Sequence, residues 1–136
     1  MKDIKFLKEY LNRYKKSLVE NDVFDSMIEM KKILLQTKKN HKKVLIAGNG
    51  GSAAMASHVS VDLTKQAGIR TMNFNEADLI TCFSNDYGYE NWLAKAIEFY
   101  GDMSDVAILI SSSGKSPNMI NAAIQAKSMS ISVITL

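Results

Sequence analysis

The chain has 136 residues and a mass of 15.1 kDa, with 46% hydrophobic and 23% charged residues, which suits one globular domain over 1–136 and excludes a disordered chain. No apolar run approaches the ~20 residues of a membrane-spanning helix, and the charged start MKDIKFLKEY lacks a signal-peptide core, so the expected location is cytoplasmic. The formal charge of +3 is uneven, because residues 1–43 carry 12 Lys/Arg against 6 Asp/Glu whereas 44–136 carry 5 against 8.

That basic excess does not read as a nucleic-acid surface. Its lysines alternate with acids and with apolar positions at helical spacing, the pattern of a solvated helix face. Residues 3–39 read as two helices, which make a helical hairpin of residues 1–40. In the first, Ile4, Leu7, Leu11, Tyr14 and Leu18 form one stripe at alternating steps of three and four. Asn21 and Asp22 supply N-cap chemistry for the second, whose stripe is Val23, Met27, Met30 and Leu34. Two narrow seams predict helix–helix packing, either within the domain or with another subunit. Asn40-His41 is a polar turn that ends the hairpin.

From residue 43 the periodicity changes to that of a parallel α/β sheet. Val44-Leu45-Ile46-Ala47 is a short continuous apolar run, as expected of a strand covered on both faces. Gly48-Asn49-Gly50-Gly51 follows it, then a helix from Ser52 to about Lys65. Ile69 to Phe74 reads as a weaker strand. Asn75 is placed as the N-cap of a helix over Ala77 to Phe83, and Ser84 to Gly88 has turn chemistry. Glu90 to Tyr100 is predicted helical, and Val106 to Ile110 is the clearest strand. A helix from Pro117 to about Ser128 precedes Ile131 to Thr135, read as one more buried strand. Strands alternating with helices imply an α/β fold with a parallel sheet and right-handed crossovers. The chain stops at the end of a core strand, where such a sheet normally adds another unit, so a truncated chain is expected.

Ligands of open parallel sheets bind beyond the carboxyl ends of the strands. Two strand-to-helix loops lie there. The first, Gly48 to Ser52, has glycines that admit a ligand close to the backbone. The second holds Ser111, Ser112, Ser113 and Ser116 around Gly114, ahead of a helix N-terminus; hydroxyls and free N–H groups in that setting make a phosphate cradle. An N-cap role explains Ser116 but not four serines. The first loop also matches G-x-G-x-x-A, yet no acid stands at the end of the second strand to hold a ribose, since Asp62 comes too early and Glu76 late. A nicotinamide cofactor is therefore not expected. His58 and Asp62, four apart on one helical face, fit metal-ligand geometry and equally a His–Asp hydrogen bond. Asn85 and Asp86 fit either sugar hydroxyls or loop shaping. Cys82, the only cysteine, reads as a packing residue, and no intramolecular disulfide is possible.

Three segments in order carry a resemblance: Gly48-Asn49-Gly50-Gly51-Ser52-Ala53-Ala54 with His58 following, Ser84-Asn85-Asp86-Tyr87-Gly88-Tyr89, and Ile110 to Asn118. Together they resemble the phosphoheptose isomerases of the sugar isomerase (SIS) domain family, over the whole chain. The resemblance implies a three-layer, flavodoxin-like parallel-sheet sandwich and a homo-oligomer, tetramer or dimer, with active sites at subunit interfaces. It also implies interconversion of sedoheptulose 7-phosphate with a heptose 7-phosphate aldose for surface-polysaccharide precursors of lipopolysaccharide or capsule. By the same resemblance Ser111, Ser112, Ser113 and Ser116 would hold the phosphate, while Asn49, Gly50, Gly51, Asn85 and Asp86 would contact the sugar. His58 would be a zinc ligand, and Asp62 would stand in the place of the family's glutamate, a ligand and the catalytic acid/base. Asp62 is one methylene shorter than that glutamate, a displacement of ~1.5 Å. The remaining zinc ligands of the family, a glutamine and a histidine, belong to a carboxyl-terminal segment that the sequence given does not include. The phosphate site is thus expected to be better preserved than the catalytic one. The alternative is a non-catalytic SIS module that binds sugar phosphate or a partner protein, similar to the SIS proteins that associate with the bacterial replication initiator.

Overall fold

The computed structural model describes residues 2–19 and 23–136, with the side chains of 17–19 left out. Asn21, Asp22 and the Leu18 side chain therefore lie outside the described residues. The elements in order are α1 (Lys2–Val19), α2 (Phe24–Lys39), β1 (Val44–Gly48), α3 (Gly51–Lys65), β2 (Thr71–Asn73), α4 (Ala77–Tyr87), α5 (Trp92–Tyr100), β3 (Val106–Ile110), α6 (Pro117–Ser128) and β4 (Ser132–Thr135). The chain divides into two compact units at Lys31/Lys32, inside α2.

In the first unit, α1 is a strongly amphipathic helix with an exposed Lys5–Glu9 ion pair at 3.9 Å and Phe6 stacked on Tyr10. The residues of its apolar stripe, Ile4, Leu7, Leu11 and Tyr14, are between 54% and 62% exposed. Of the second stripe, Met27 is exposed, Met30 half-buried and Leu34 buried.

The second unit is a four-stranded, fully parallel sheet in the order β2-β1-β3-β4. The β1–α3–β2 crossover runs one way from the centre and β3–α6–β4 the other, so the right-handed rule puts α3 and α6 on opposite faces. The core agrees. Leu45, Ala47, Ala107 and Leu109 cluster with Trp92, Leu93, Ala96 and Ile97 of α5 and with Met119, Ala122 and Ala126 of α6. The alternate residues Val44, Ile46, Val106 and Ile108 point to the other face and are fully buried there. No charge lies within either central strand, as burial on both faces requires.

Four expectations are corrected. The helix α4 continues through Ser84, Asn85, Asp86 and Tyr87, which were read as a turn, and stops only at Gly88. Phe83 packs edge-on against Tyr87 one turn later, and that contact holds the added turn together. Glu76, not Asn75, stands at the N-cap of α4; the Asn75 amide instead donates to the Ala53 carbonyl at 2.7 Å and the Ser57 hydroxyl at 2.5 Å on α3. The strand β4 is half exposed rather than buried, because it pairs with β3 alone and lies at the sheet edge. Cys82 is exposed, with its Sγ 3.8 Å from Asp86 Oδ2.

At the amino-terminal ends of the central strands, the residues preceding β1 and β3 are joined by charge. Asp105, 1% exposed, takes Lys43 Nζ at 2.6 Å, the Lys43 backbone N–H at 3.0 Å and the Asp102 backbone N–H at 2.9 Å. Lys43 Nζ also meets Asp102 at 2.6 Å. Desolvation opposes the charge on Lys43, but hydrogen bonds to Asp102 and Asp105 outweigh it and hold the ammonium above the ordinary lysine range. The hydrogen bond from Lys43 likewise holds the Asp102 carboxyl below the usual carboxylate range. Removing one partner of a buried pair strands the other charge. Lys43→Met is accordingly expected to destabilise the protein by about 3 kcal/mol in urea unfolding. A raised lysine value stabilises below its unfolded pKa and a depressed carboxylate value above its own. The wild-type advantage over Lys43→Met should therefore fade only as pH rises past about 10.4 or falls below about 3.9. An equal midpoint for both proteins at pH 7 would contradict this account.

Candidate functional site

The two loops singled out in the sequence meet at the centre of the sheet. Register pairs Gly48 with Ile110, so the first loop leaves β1 beside the point where Ser111 leaves β3. Strand order also reverses between these two strands, which makes their carboxyl ends the switch point where parallel sheets bind ligands.

Loop one is shaped by its glycines. A Cβ on Gly48 would lie 2.5 Å from the Ser52 backbone, so only glycine lets α3 start this close to β1. Gly50, at φ 55° and ψ −119°, adopts a backbone conformation closed to other residues, and space is open around it and around Gly51. The Ser52 N–H donates to the Asn49 carbonyl at 3.0 Å, which closes the turn into α3. Backbone at the start of α3 thus faces open space, and its free N–H groups carry the helix's partial positive charge.

Loop two presents hydroxyls in the same region. Ser111 is half-buried, Ser112 and Ser113 are exposed, and Ser116 stands at the N-cap of α6. The Ser116 hydroxyl makes no capping bond to its own helix, so the N-cap reading does not use it. Ser113 Oγ accepts the Lys115 N–H at 3.2 Å and keeps its own proton to donate. Pro117 occupies the first helical position, where it sets the backbone without sacrificing a needed N–H.

The remaining candidates lie on flanking helices. His58 Nε2 is 3.4 Å from Asp62 Oδ2 on α3, so the two share a face as their spacing implied. Both are well exposed, with side chains 80% and 55% accessible. An imidazole nitrogen and a carboxylate oxygen are suitable zinc donors, and they converge closely enough to serve one ion. They make two ligands of a usual four, and no group of three or more His, Cys, Asp or Glu among the described residues is arranged to hold a metal. Asn85 and Asp86 are exposed on the last turn of α4 and bonded to each other at 2.9 Å. A groove of about 540 Å³ between Glu76, Asp78, Leu79, Cys82, Phe83 and Tyr100 shares no residue with either loop.

Two residues that the sequence reading left without a role tie these segments together. Asn118, buried on α6, exchanges a pair of hydrogen bonds with Asn49, and the Tyr89 hydroxyl donates to Asn49 Oδ1 at 3.3 Å. Both belong to the quoted segments, but nothing in local spacing pairs residues 69 positions apart.

Comparison with known proteins gives the family and the fold. The SIS domain family profile matches residues 6–136. A phosphoheptose isomerase of Sulfurimonas denitrificans is 33% identical over 142 residues, covering 97% of this chain and 73% of the relative. One from Helicobacter pylori strain P12 is 35% identical over 139 residues, covering 95% and 71%. The solved structure of the phosphoheptose isomerase GmhA from Neisseria gonorrhoeae superposes with a TM-score of 0.88 at 27% identity, over all of this chain and 75% of that one. A Francisella tularensis phosphoheptose isomerase, 24% identical with a TM-score of 0.91, has the same fold.

If loop two holds an anion through hydroxyls, Ser113→Ala with Ser116→Ala should weaken binding of inorganic phosphate about tenfold or more in calorimetry. Unchanged affinity in a folded double variant would rule the cradle out.

Proposed function

The chain belongs to the phosphoheptose isomerase family of SIS-domain proteins, an isomerase family, and on that premise we propose that it interconverts sedoheptulose 7-phosphate and a heptose 7-phosphate aldose in the cytoplasm, for surface-polysaccharide precursors. One observation carries the reading. The phosphate-type loop and the glycine loop open side by side at the β1/β3 switch point, and the helix leaving the glycine loop carries a paired imidazole and carboxylate.

In this proposal the phosphate sits against Ser111, Ser112, Ser113 and Ser116 at the N-terminus of α6. Neutral donors and the helix end stabilise its charge there without a fixed cation. The sugar lies along loop one, over Asn49, Gly50 and Gly51, with Asn85 and Asp86 contributing from α4. His58 is seven residues past Gly51, about 10 Å along α3, so the reacting carbons must lie well away from the phosphate. A seven-carbon substrate phosphorylated at its far end meets that demand.

Moving the carbonyl between C1 and C2 requires a base that takes a proton from one carbon and returns it to the other through an enediol. Asp62 is the proposed carrier. Its carboxylate takes the C1 proton of the ketose and delivers it to C2, while His58 beside it keeps the carboxylate oriented. His58 and Asp62 would also hold zinc together with further ligands, and a bound zinc would supply polarisation of the carbonyl oxygen.

With zinc supplied, Asp62→Asn is expected to lower turnover of sedoheptulose 7-phosphate by about 10²-fold or more and to leave its affinity within a few-fold. Equal turnover would remove Asp62 from the mechanism. A wild-type chain that binds the ester and converts none of it would favour a non-catalytic sugar-phosphate module.

The proposal includes a homo-oligomer, tetramer or dimer. Ile4, Leu7, Leu11 and Tyr14 form a regular apolar stripe that is more than half exposed in the single chain, and an apolar stripe of this kind normally has a partner. Light scattering is expected to report an oligomer that Leu7→Lys with Leu11→Lys dissociates. A wild-type monomer at micromolar concentration would refute this.

A further inference from the structure

We propose that Asn118 is a positioning residue, which locks Asn49 and the glycine loop to the helix of the serine loop through a reciprocal amide clasp; the inference rests on the reading that the sugar lies over loop one. Asn118 is 2% exposed, so its amide must be paired inside the protein or destabilise it. Asn49 supplies both partners. Asn49 Nδ2 donates to Asn118 Oδ1 at 3.0 Å, and Asn118 Nδ2 donates back to Asn49 Oδ1 at 2.9 Å.

The Tyr89 hydroxyl takes the second lone pair of Asn49 Oδ1. The Asn49 oxygen is then fully used, and the side chain has one N–H left for a ligand. Rotating Asn49 toward a substrate would break all three bonds and leave Asn118 unpaired in the core. Asn49 is thus held in one orientation, and through its carbonyl bond to the Ser52 N–H so is the turn that aims Gly50 and Gly51. The clasp also joins the three chemistry-bearing segments, since Asn49 follows β1, Asn118 opens α6 and Tyr89 follows α4. Loop one is consequently preorganised for the sugar, while the hydroxyls of loop two remain independent of the pair.

That asymmetry separates positioning from general structural support. Asn118→Ala is expected to raise the Kd for sedoheptulose 7-phosphate about tenfold, yet that for inorganic phosphate less than about twofold. Asn49→Ala, which also removes the side chain's own N–H to the sugar, should cost at least as much, and the double variant no more than Asn49→Ala alone, because both substitutions break one clasp. Tyr89→Phe, an exposed change that spares the core, should weaken the sugar phosphate about two- to threefold. In the unliganded chain, NMR should show a cross-peak between the Asn49 and Asn118 side-chain amides, with slowed exchange of their protons. Equal losses for sugar phosphate and inorganic phosphate, additive effects of the two alanines, or no amide cross-peak would each overturn the clasp. Should Asn118→Ala not fold, Tyr89→Phe and the cross-peak decide alone. A wild-type chain that shows the cross-peak but binds no sugar phosphate refutes the functional reading and leaves the clasp standing.

Discussion

The parallel pairing of β1 with β3 is the constraint on which the site depends. Five residues of each strand run in register, from Val44 beside Val106 to Gly48 beside Ile110. A shift of even one residue would move Ser111 by about 3.3 Å relative to Asn49, beyond the tolerance of a hydrogen bond. The pair is held by more than its ladder. At one end Lys43 and Asp105 bridge the residues just before the strands, and at the other Asn49 and Asn118 bridge the segments just after them. Hydrophobic burial between these ends supplies the bulk of the stability. It is non-directional and would tolerate a slip that the polar bridges do not.

Much of this was legible in the sequence because it is local. Val44–Ala47 and Val106–Ile110 are continuous apolar runs, and only strands buried on both faces need them. Gly48 and Gly50 are required by a close approach and a positive φ within five residues of each other, so their spacing alone marks a strand-to-helix turn. Pro117 marks the start of α6 for a similar reason. His58 and Asp62 share a face by helical geometry alone, and the structure adds only the distance.

What the sequence concealed is long-range. Ser84, Asn85 and Asp86 are each turn formers, yet they stay helical because Phe83 anchors the turn to Tyr87 and, on α5, to Phe99. Asn75 looks like a cap by position, but its amide is drawn to Ala53 and Ser57 across 22 and 18 residues. The exposure of β4 follows from sheet order, which no local pattern states. Asn118 is the clearest case. Beside Pro117 it reads as one more polar residue of a helix start, and its role arises only when the fold brings it to Asn49.

The two ends of the β1/β3 pair differ in how their polar groups are used, and the difference suits a site that must release its ligand. The amino-terminal end relies on full charges, with a buried carboxylate saturated by an ammonium and two backbone N–H groups. Such a cluster is stable because it never exchanges partners. The carboxyl-terminal end relies on neutral amides, hydroxyls and helix N-termini, and Lys115 of loop two is exposed. Neutral donors bind an anion less tightly than a fixed ion pair would and leave no stranded charge when it departs. Orientation must then come from somewhere other than Coulomb attraction. In this fold it comes from uncharged groups held in place, with Gly48 confined by close packing against Ser52 and an asparagine whose oxygen is already shared between Asn118 and Tyr89.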